Sequence, residues 1–374
     1  MRGDHPRGAP MKIRFCSPIR SHMGYAEMGR IVINQLVQAG HDVAVVEIPI
    51  QASNADFGPL GAQARALVDR RLQPDVNIVN MIPPLFAQFR VPGARNIGYT
   101  VFEADRLPAG WVAMCNAMDA IWTLSEWAKA MFIASGVTVP VHVVGADTSS
   151  MGTGDEPVQR PDPDKFRLLS VFQWSERKNP VGLLRAFCAA FDGDPDATLL
   201  LKAHRFSDPA RNAGFVRDAV AAVVGQMRPA RALPRIEIAT GFCSDRQMRE
   251  LYASAHGVVG LAHAEGWGLP AWQATLAGTP VVHTGWSAPL EFIHPQGAVR
   301  SNLAPVFAME DFVDFYDIGM RWAEPQLDHA IELLRSMRDT WRQWQDNAHA
   351  QREAVGSRYS LEARIASLRA ALAA

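Results

Sequence analysis

The sequence predicts an α/β protein with two doubly wound parallel-sheet domains and a helical C-terminus. Three observations carry that expectation. Two successive arrays alternate short β-rich runs with helical patterns, as βαβ units do. A stretch rich in Gly, Pro, Ser and acids, TSSMGTGDEPVQRPDPD at 148 to 164, separates them and has no apolar periodicity. Finally, 374 residues, 48% of them hydrophobic, suffice for two sizeable cores at roughly 150 residues per domain.

The first array opens at Met11, and residues 1 to 10 read as an upstream extension or tag. Its strands are IRFCSPI (13 to 19), DVAVVEI (42 to 48), VNIVNMI (76 to 82), NIGYTVF (96 to 102), AIWTL (120 to 124) and VPVHVV (139 to 144). The first helix, Tyr25 to Ala39, ends at Gly40, which suits the left-handed position after a helix. The second array holds FRLLSVF (166 to 172), ATLLLKA (197 to 203), RIEIATG (235 to 241), GVVGLA (257 to 262) and TPVVHT (279 to 284). The helix from Ser244 to Ala255 begins with Ser244 and Gln247 in capping-box spacing. Pro325 to Ala374 reads as two long helices around a break at Gly356 and Ser357. The expected division is 11–150, 165–355, and a terminal helix at 356–374 that packs back on the N-terminal domain. Two such domains imply a cleft at the carboxyl ends of both sheets, so function belongs in the loops after strands.

Composition excludes several classes. Thirty-seven Lys and Arg against 38 Asp and Glu leave a formal charge of -1, without the broad basic field of a nucleic-acid-coating protein. No apolar run approaches the roughly 18 residues that span a bilayer. The N-terminal residues lack the apolar core of a signal peptide, so a cytoplasmic protein is expected, with a peripheral place at the membrane still compatible. Cys16, Cys115, Cys188 and Cys243 fall in no CxxC or zinc spacing and read as buried free thiols. Only five of the basic residues are Lys (12, 129, 165, 178 and 202), so a Lys inside a site is informative here.

The most informative segment is Glu265-Gly-Trp-Gly-Leu-Pro-Ala-Trp-Gln273, between a strand and a helix that Gly278 ends. Gly266 and Gly268 let the backbone approach a ligand, Pro270 suits a first helical turn, and amides at that helix start suit an anion or sugar hydroxyls. Glu265 can accept from hydroxyls or face a developing cation. The alternative is a tight turn whose Glu merely caps the amides. There is no GxGxxG after the first strand, which argues against a dinucleotide oxidoreductase.

E-G-x-G-L-P, a polar residue eight positions after its Glu, and then A-G-T-P-V-V resemble the donor-site signature of retaining, family 4 type glycosyltransferases of the GT-B fold. The resemblance extends through LLSVFQWSERKNPVGLLRAF, IGYTVFEADRLPAGWV, DAIWTLSEWAKAMFIASGV, GFCSDRQMRELYASAHGVV and WAEPQLDHAIELLRSM, covering roughly residues 12 to 340. It implies two Rossmann-like domains, an N-terminal acceptor domain and a C-terminal donor domain. It also implies a nucleotide diphosphate sugar as co-substrate, with no other cofactor.

Residue by residue, Glu265 matches the first Glu of the family's E-x7-E pair, which contacts the donor sugar. The second, which holds the ribose hydroxyls, falls on Gln273, a departure that keeps hydrogen-bonding capacity but not charge. Lys178 matches the Lys that neutralises the donor diphosphate; its usual Arg partner falls on Gln173, so Arg177 supplies the second charge. Gly266, Trp267, Gly268 and Leu269 belong to the donor loop, Gly24 to the N-terminal glycine loop, and Lys202 with His204 to a strand end facing the cleft. Phe242 falls where the family places the nucleotide base, a core Phe being the equal alternative. Tyr99, Thr100 and Glu103 end a strand on the acceptor side, where Glu103 either orients an acceptor hydroxyl or forms a salt bridge to Arg106. His22, His263, Trp111, Trp122 and Trp127 read mainly as structural.

The expected activity is metal-independent transfer of a sugar, with retention, to a hydroxyl on a glycan, lipid-linked glycan, small molecule or modified base. No DxD motif is suitably placed; Asp105, Asp147 and Asp245 are the fallback ligands were a metal required. The rival readings are a sugar-nucleotide epimerase of the same architecture and a catalytically silent nucleotide-sugar-binding protein. The sequence leaves donor, acceptor and oligomeric state open.

Overall fold

The structure, a computed structural model, describes residues 9–51, 53, 55–151, 161, 165–205, 209–306 and 313–374. Most of the expected linker (152–160 and 162–164) and of the N-terminal extension (1–8) lies outside the described residues.

Short runs rich in Val, Ile and Leu form strands buried on both faces, as parallel sheets require. The first sheet contains β1 (Lys12–Ser17), β2 (Asp42–Glu47), β3 (Val76–Asn80), β4 (Arg95–Tyr99), β5 (Ala120–Thr123) and β6 (Val141–Val143). Their order is β2-β1-β3-β4-β5-β6, all parallel. The second contains β7 (Phe166–Gln173), β8 (Ala197–His204), β9 (Arg235–Ala239), β10 (Gly257–Gly260), β11 (Val281–Thr284) and β12 (Ala298–Val299), in the parallel order β12-β11-β10-β7-β8-β9. Both sheets are doubly wound. Their order reverses between β1 and β3 and between β7 and β10, the switch points at whose carboxyl ends such sheets bind ligands.

Every strand expected from sequence is present to within three residues at each end. Not anticipated were β12 and the antiparallel pair β13 (Ser301–Pro305) and β14 (Arg321–Pro325). SNLAP and RWAEP carry weak β signals, and pairing across 16 to 24 residues makes them strands. The C-terminal tail corrects the two-helix reading. It forms three helices, Leu327–Asp339, Trp341–Arg358 and Leu361–Ala373. Gly356 stays inside the last turn of the second, where a Gly costs only about 1 kcal/mol relative to Ala. The chain breaks instead at Thr340 and before Ser360, whose hydroxyl accepts from Ala363 N at 3.2 Å as an N-cap.

The chain divides into two compact units. The first holds the residues up to Val101, Ala109–Ser150 and Tyr359–Ala374; the second holds Phe102–Pro108 and the residues from Met151 to Arg358. In the first, Ile13, Phe15, Ile33, Ile78 and Trp122 form a fully buried core. The terminal helix is fastened there by Arg95 Nη1 donating to Leu372 O (2.7 Å) and Arg369 Nη2 to Ala39 O (3.1 Å). In the second, Phe166, Leu168, Phe187, Leu199 and Trp344 pack around the sheet. The segment Phe102–Pro108 follows β4 of the first unit yet belongs to the second by its contacts.

All four cysteines are free, and Cys16, Cys115 and Cys188 are buried as expected. Burial pushes the Cys16 and Cys188 thiols up to about 11 and Cys115 up to about 12. Cys243 departs from the expectation, being only partly buried. Among the described residues no helix is long and apolar enough to cross a membrane.

Candidate functional site

The switch point of the second sheet assembles the charged residues. After β7, a single tight turn, Glu176–Lys178, runs into Asn179, which adopts a left-handed conformation (φ 50°). Asn179 Oδ1 accepts from Gly182 N at 2.9 Å, and Pro180 opens the helix Pro180–Ala190. That cap fixes where Arg177 and Lys178 leave the strand. After β10, the loop ends at Gly268, whose φ of +87° lies where a side chain is strained. The helix Leu269–Ala277 starts there with Pro in its first turn and no side-chain cap.

Glu265 does not cap that helix. Its carboxylate takes Lys178 Nζ at 2.5 Å on Oε1 and 2.7 Å on Oε2, and Arg177 Nη1 at 3.2 Å on Oε2. Backbone bonds hold the loops in register: His263 N donates to Arg177 O at 2.8 Å, and Ala323 N to His263 O at 3.1 Å. Glu265 N donates to Ser287 Oγ at 3.0 Å. Arg177 Nη1 also donates to Ala264 O at 2.7 Å, and its Nη2 lies 3.6 Å from Glu103 Oε1. Four charges of alternating sign, Glu103, Arg177, Glu265 and Lys178, are thus gathered within one unit.

Their electrostatics follow from proximity under burial. Burial opposes ionisation of Glu265, but Lys178 and Arg177 outweigh it and hold the carboxyl at about 2. Burial likewise opposes the Arg177 charge, and Glu103 and Glu265 more than restore it. Lys178 is pulled down by burial and by Arg177, only partly offset by Glu265. A recess of about 390 Å³, solvent-open space included, adjoins the pair; Ser170, Gly260, Gly268 and His283 are among its lining. His283, buried at the end of β11, has its imidazole pushed down by burial. Its position directly after Ala277-Gly278-Thr279-Pro280-Val281-Val282 is the one sequence signal that marks it, as a strand-end residue.

The other expected residues distribute as follows. Gln173 ends β7 in register with His204 of β8, where Lys202 is half-buried with its amine pulled down by burial. Phe242 follows β9 and is 51% exposed. Because β10, β7, β8 and β9 are neighbours and parallel, Glu265, Lys178, Lys202 and Phe242 all lie along one edge of the sheet, spread over three strand spacings, roughly 14 Å. Gln273 Oε1 accepts from Tyr252 Oη at 2.9 Å. Gly266 lies in the loop after β10, and Leu269 starts the helix that follows. The Trp267 side chain is turned inward, 4.8 Å from the Phe292 ring and 5.5 Å from Trp272.

In the first unit, Gly24 opens the helix Gly24–Gln38, beside the switch point where Asn80 Nδ2 donates to Ser17 Oγ (2.9 Å) and Tyr25 O (2.8 Å). Tyr99 departs from the expected acceptor surface: it is buried, and its hydroxyl donates to Val144 O at 2.7 Å. The cause is strand alternation, which turns Tyr99 into the core. Thr100 is also buried, its hydroxyl 2.9 Å from Tyr25 Oη. Glu103 does not form the salt bridge to Arg106. It pairs with Arg177, while Arg106 pairs with Asp105 (3.9 Å) and donates to Gly319 O and Ile318 O. Of the fallback metal ligands, Asp105 accepts from Arg321 N and Asp147 from Gln35 Nε2, while Asp245 opens the helix Asp245–Ala253. Among the described residues no group of three His, Cys, Asp or Glu is arranged to hold a metal.

Two doubly wound six-stranded sheets of these orders, with a helical tail divided between the units, are the fold of the GT-B glycosyltransferases. Solved structures of that fold are similar to this chain over 78% to 97% of its length. Sucrose-phosphate synthase from Thermosynechococcus elongatus matches with a TM-score of 0.65 at 14% identity, covering 97% of this chain and 98% of its own. HepE from Anabaena, solved with UDP and glucose, matches with a TM-score of 0.61 at 14% identity, covering 97% and 99%. TarM from S. aureus, solved with UDP among its ligands, matches with a TM-score of 0.56 at 12% identity over 78% of this chain; the chain spans 54% of TarM's length. No family model and no curated protein matches the sequence.

Proposed function

We propose that the chain is a glycosyltransferase that moves a sugar from a nucleotide diphosphate sugar to a hydroxyl acceptor, with retention at the anomeric carbon and without a metal ion. The observation that carries this reading is the convergence of Lys178 and Arg177 with Glu265 at the carboxyl ends of β7 and β10. A diphosphate leaving group needs fixed positive charge where water is scarce, and the two cations are largely enclosed, at 15% and 17% side-chain exposure. The linear spread of Glu265, Lys178 and Phe242 along the sheet edge suits a ligand with a sugar at one end, phosphates between and a base at the other. UDP in the HepE and TarM structures supports the donor class.

On this reading the anomeric C–O bond to phosphate breaks as the acceptor oxygen bonds to the same carbon on the same face. The acceptor proton passes to the departing phosphate oxygen, so no strong general base is needed. Lys178, Arg177 and the first amides of the helix Leu269–Ala277 stabilise the developing charge. Glu265, ionised throughout the physiological range, faces the sugar. Gln273 takes the ribose. The acceptor is a glycan, lipid-linked glycan, small molecule or modified base, and the reaction is cytoplasmic, at the membrane surface for a lipid-linked acceptor.

A second reading, nucleotide-sugar binding without turnover, is favoured by the amides Gln173 and Gln273 where the family carries charge. Thermal-shift screening against nucleotide sugars tests the shared part: a ligand at about 100 times its Kd should stabilise by roughly 2.7 kcal/mol. Donor hydrolysis separates a transferase from a silent binder, and isomerisation of the donor without acceptor would identify an epimerase. No shift with any nucleotide sugar would overturn all three.

A further inference from the structure

Glu103 pairs with Arg177 rather than with Arg106. The segment Phe102–Pro108 is tied to the second unit at several points. Asp105 N donates to Arg321 O and Arg321 N to Asp105 Oδ1, both at 2.8 Å. The Arg106 guanidinium donates to Gly319 O and Ile318 O (3.1 and 3.3 Å), and the Phe102 ring lies 5.1 Å from Tyr316. These contacts place the Glu103 carboxylate beside Arg177.

Resting on the transferase reading, we infer that Glu103 is a positioning residue: it fixes the plane of the Arg177 guanidinium, so that a residue outside the usual basic pair supplies the second positive charge of the donor site. A guanidinium is a planar fork, and its direction is set only when more than one nitrogen is held. Nη1 is held on one side by Ala264 O and Glu265, and Nη2 is held on the other by Glu103. Without Glu103, Arg177 keeps only the Nη1 side and can turn about it. Charge balance points the same way. Lys178 and Arg177 against Glu265 alone would leave one uncompensated positive charge in a largely enclosed cluster, and Glu103 cancels it. At Gln173, where the family supplies the Arg, this chain has no charge, so the burden falls on Arg177 and on whatever orients it.

The test is a double-mutant cycle in the full-length protein, read as uridine diphosphate affinity by calorimetry and as transfer kinetics on the donor and acceptor found by screening. Glu103→Gln should lower kcat by about tenfold with the acceptor KM unchanged. In an Arg177→Gln background the same change should add little, giving strongly non-additive effects on both kcat and nucleotide affinity. Glu103→Asp should recover part of the loss, a rescue that a purely structural role would not show, and thermal midpoints check folding throughout. Additive losses, or a raised acceptor KM for Glu103→Gln, would overturn the inference while leaving the transferase reading intact. Wild-type protein that binds no nucleoside diphosphate would overturn both.

Discussion

Lys178 Nζ sits 2.5 and 2.7 Å from the two carboxylate oxygens of Glu265, so the cation and the anion of the site are already joined in the protein alone. Lys178 follows β7 and Glu265 follows β10, strands far apart in sequence and adjacent in the sheet. On the proposed transferase reading, a donor diphosphate would compete for Lys178 with a buried carboxylate.

Lys178→Ala removes the cation closest to that carboxylate. It should lower kcat by about two to three orders of magnitude, as loss of a preorganised electrostatic stabiliser does. Steady-state kinetics on a variant of unchanged secondary structure check this, and an unaltered kcat would exclude Lys178 from the reaction.

Glu265→Gln keeps the shape and removes the competitor. Turnover should collapse, while nucleoside diphosphate binding holds or tightens because Lys178 and Arg177 lose their anionic partner. Calorimetry beside an activity assay separates the two effects; parallel loss of both would mean that Glu265 only supports the loop.

Stability should depend on acid in a defined window. The folded Glu265 carboxyl is depressed to about 2 from 4.5, so its contribution is complete above pH 4.5 and is lost as pH falls toward 2. The shift alone corresponds to something on the order of 3 kcal/mol. Lys178 is itself pulled down, so the pair contributes less than that. Thermal midpoints of wild type should fall between pH 4.5 and 2 more steeply than those of Glu265→Gln; identical profiles would refute the pairing.

Gln273 accepts from Tyr252, which orients its amide. If that amide meets the ribose hydroxyls, Gln273→Ala should weaken nucleotide binding by about 0.5 to 1.5 kcal/mol. Gln273→Glu should preserve or tighten it, since a charged acceptor bonds more strongly. Titrations showing no change for either variant would remove residue 273 from the nucleotide site.

Metal independence has a direct assay. With positive charge supplied by side chains and helix amides, activity should persist in excess EDTA. Abolition by EDTA and recovery with magnesium or manganese would overturn the metal-free mechanism.

The alternation of Val-rich and Leu-rich runs with helical patterns was enough to read both sheets, because burial on two faces demands apolar strands whatever their partners. The turn chemistry of Gly268, Pro270 and Gly278 likewise marked the loop after β10 and both ends of its helix, since backbone conformation is written in local residue types. Lys178 and Glu265 were nameable from motif, but their direct ion pair was not: it exists because the sheet order sets β10 beside β7, and pairing across 87 positions leaves no local signature. Glu103 makes the same point by contrast. Its place after β4 suggested the first unit, and only contacts of Asp105 with Arg321 and of Phe102 with Tyr316 carry it to Arg177. Local sequence specifies which residues form strands, turns and caps, because those depend on neighbours along the chain; which charges meet depends on strand order and long-range packing, which arise only when the whole chain is folded.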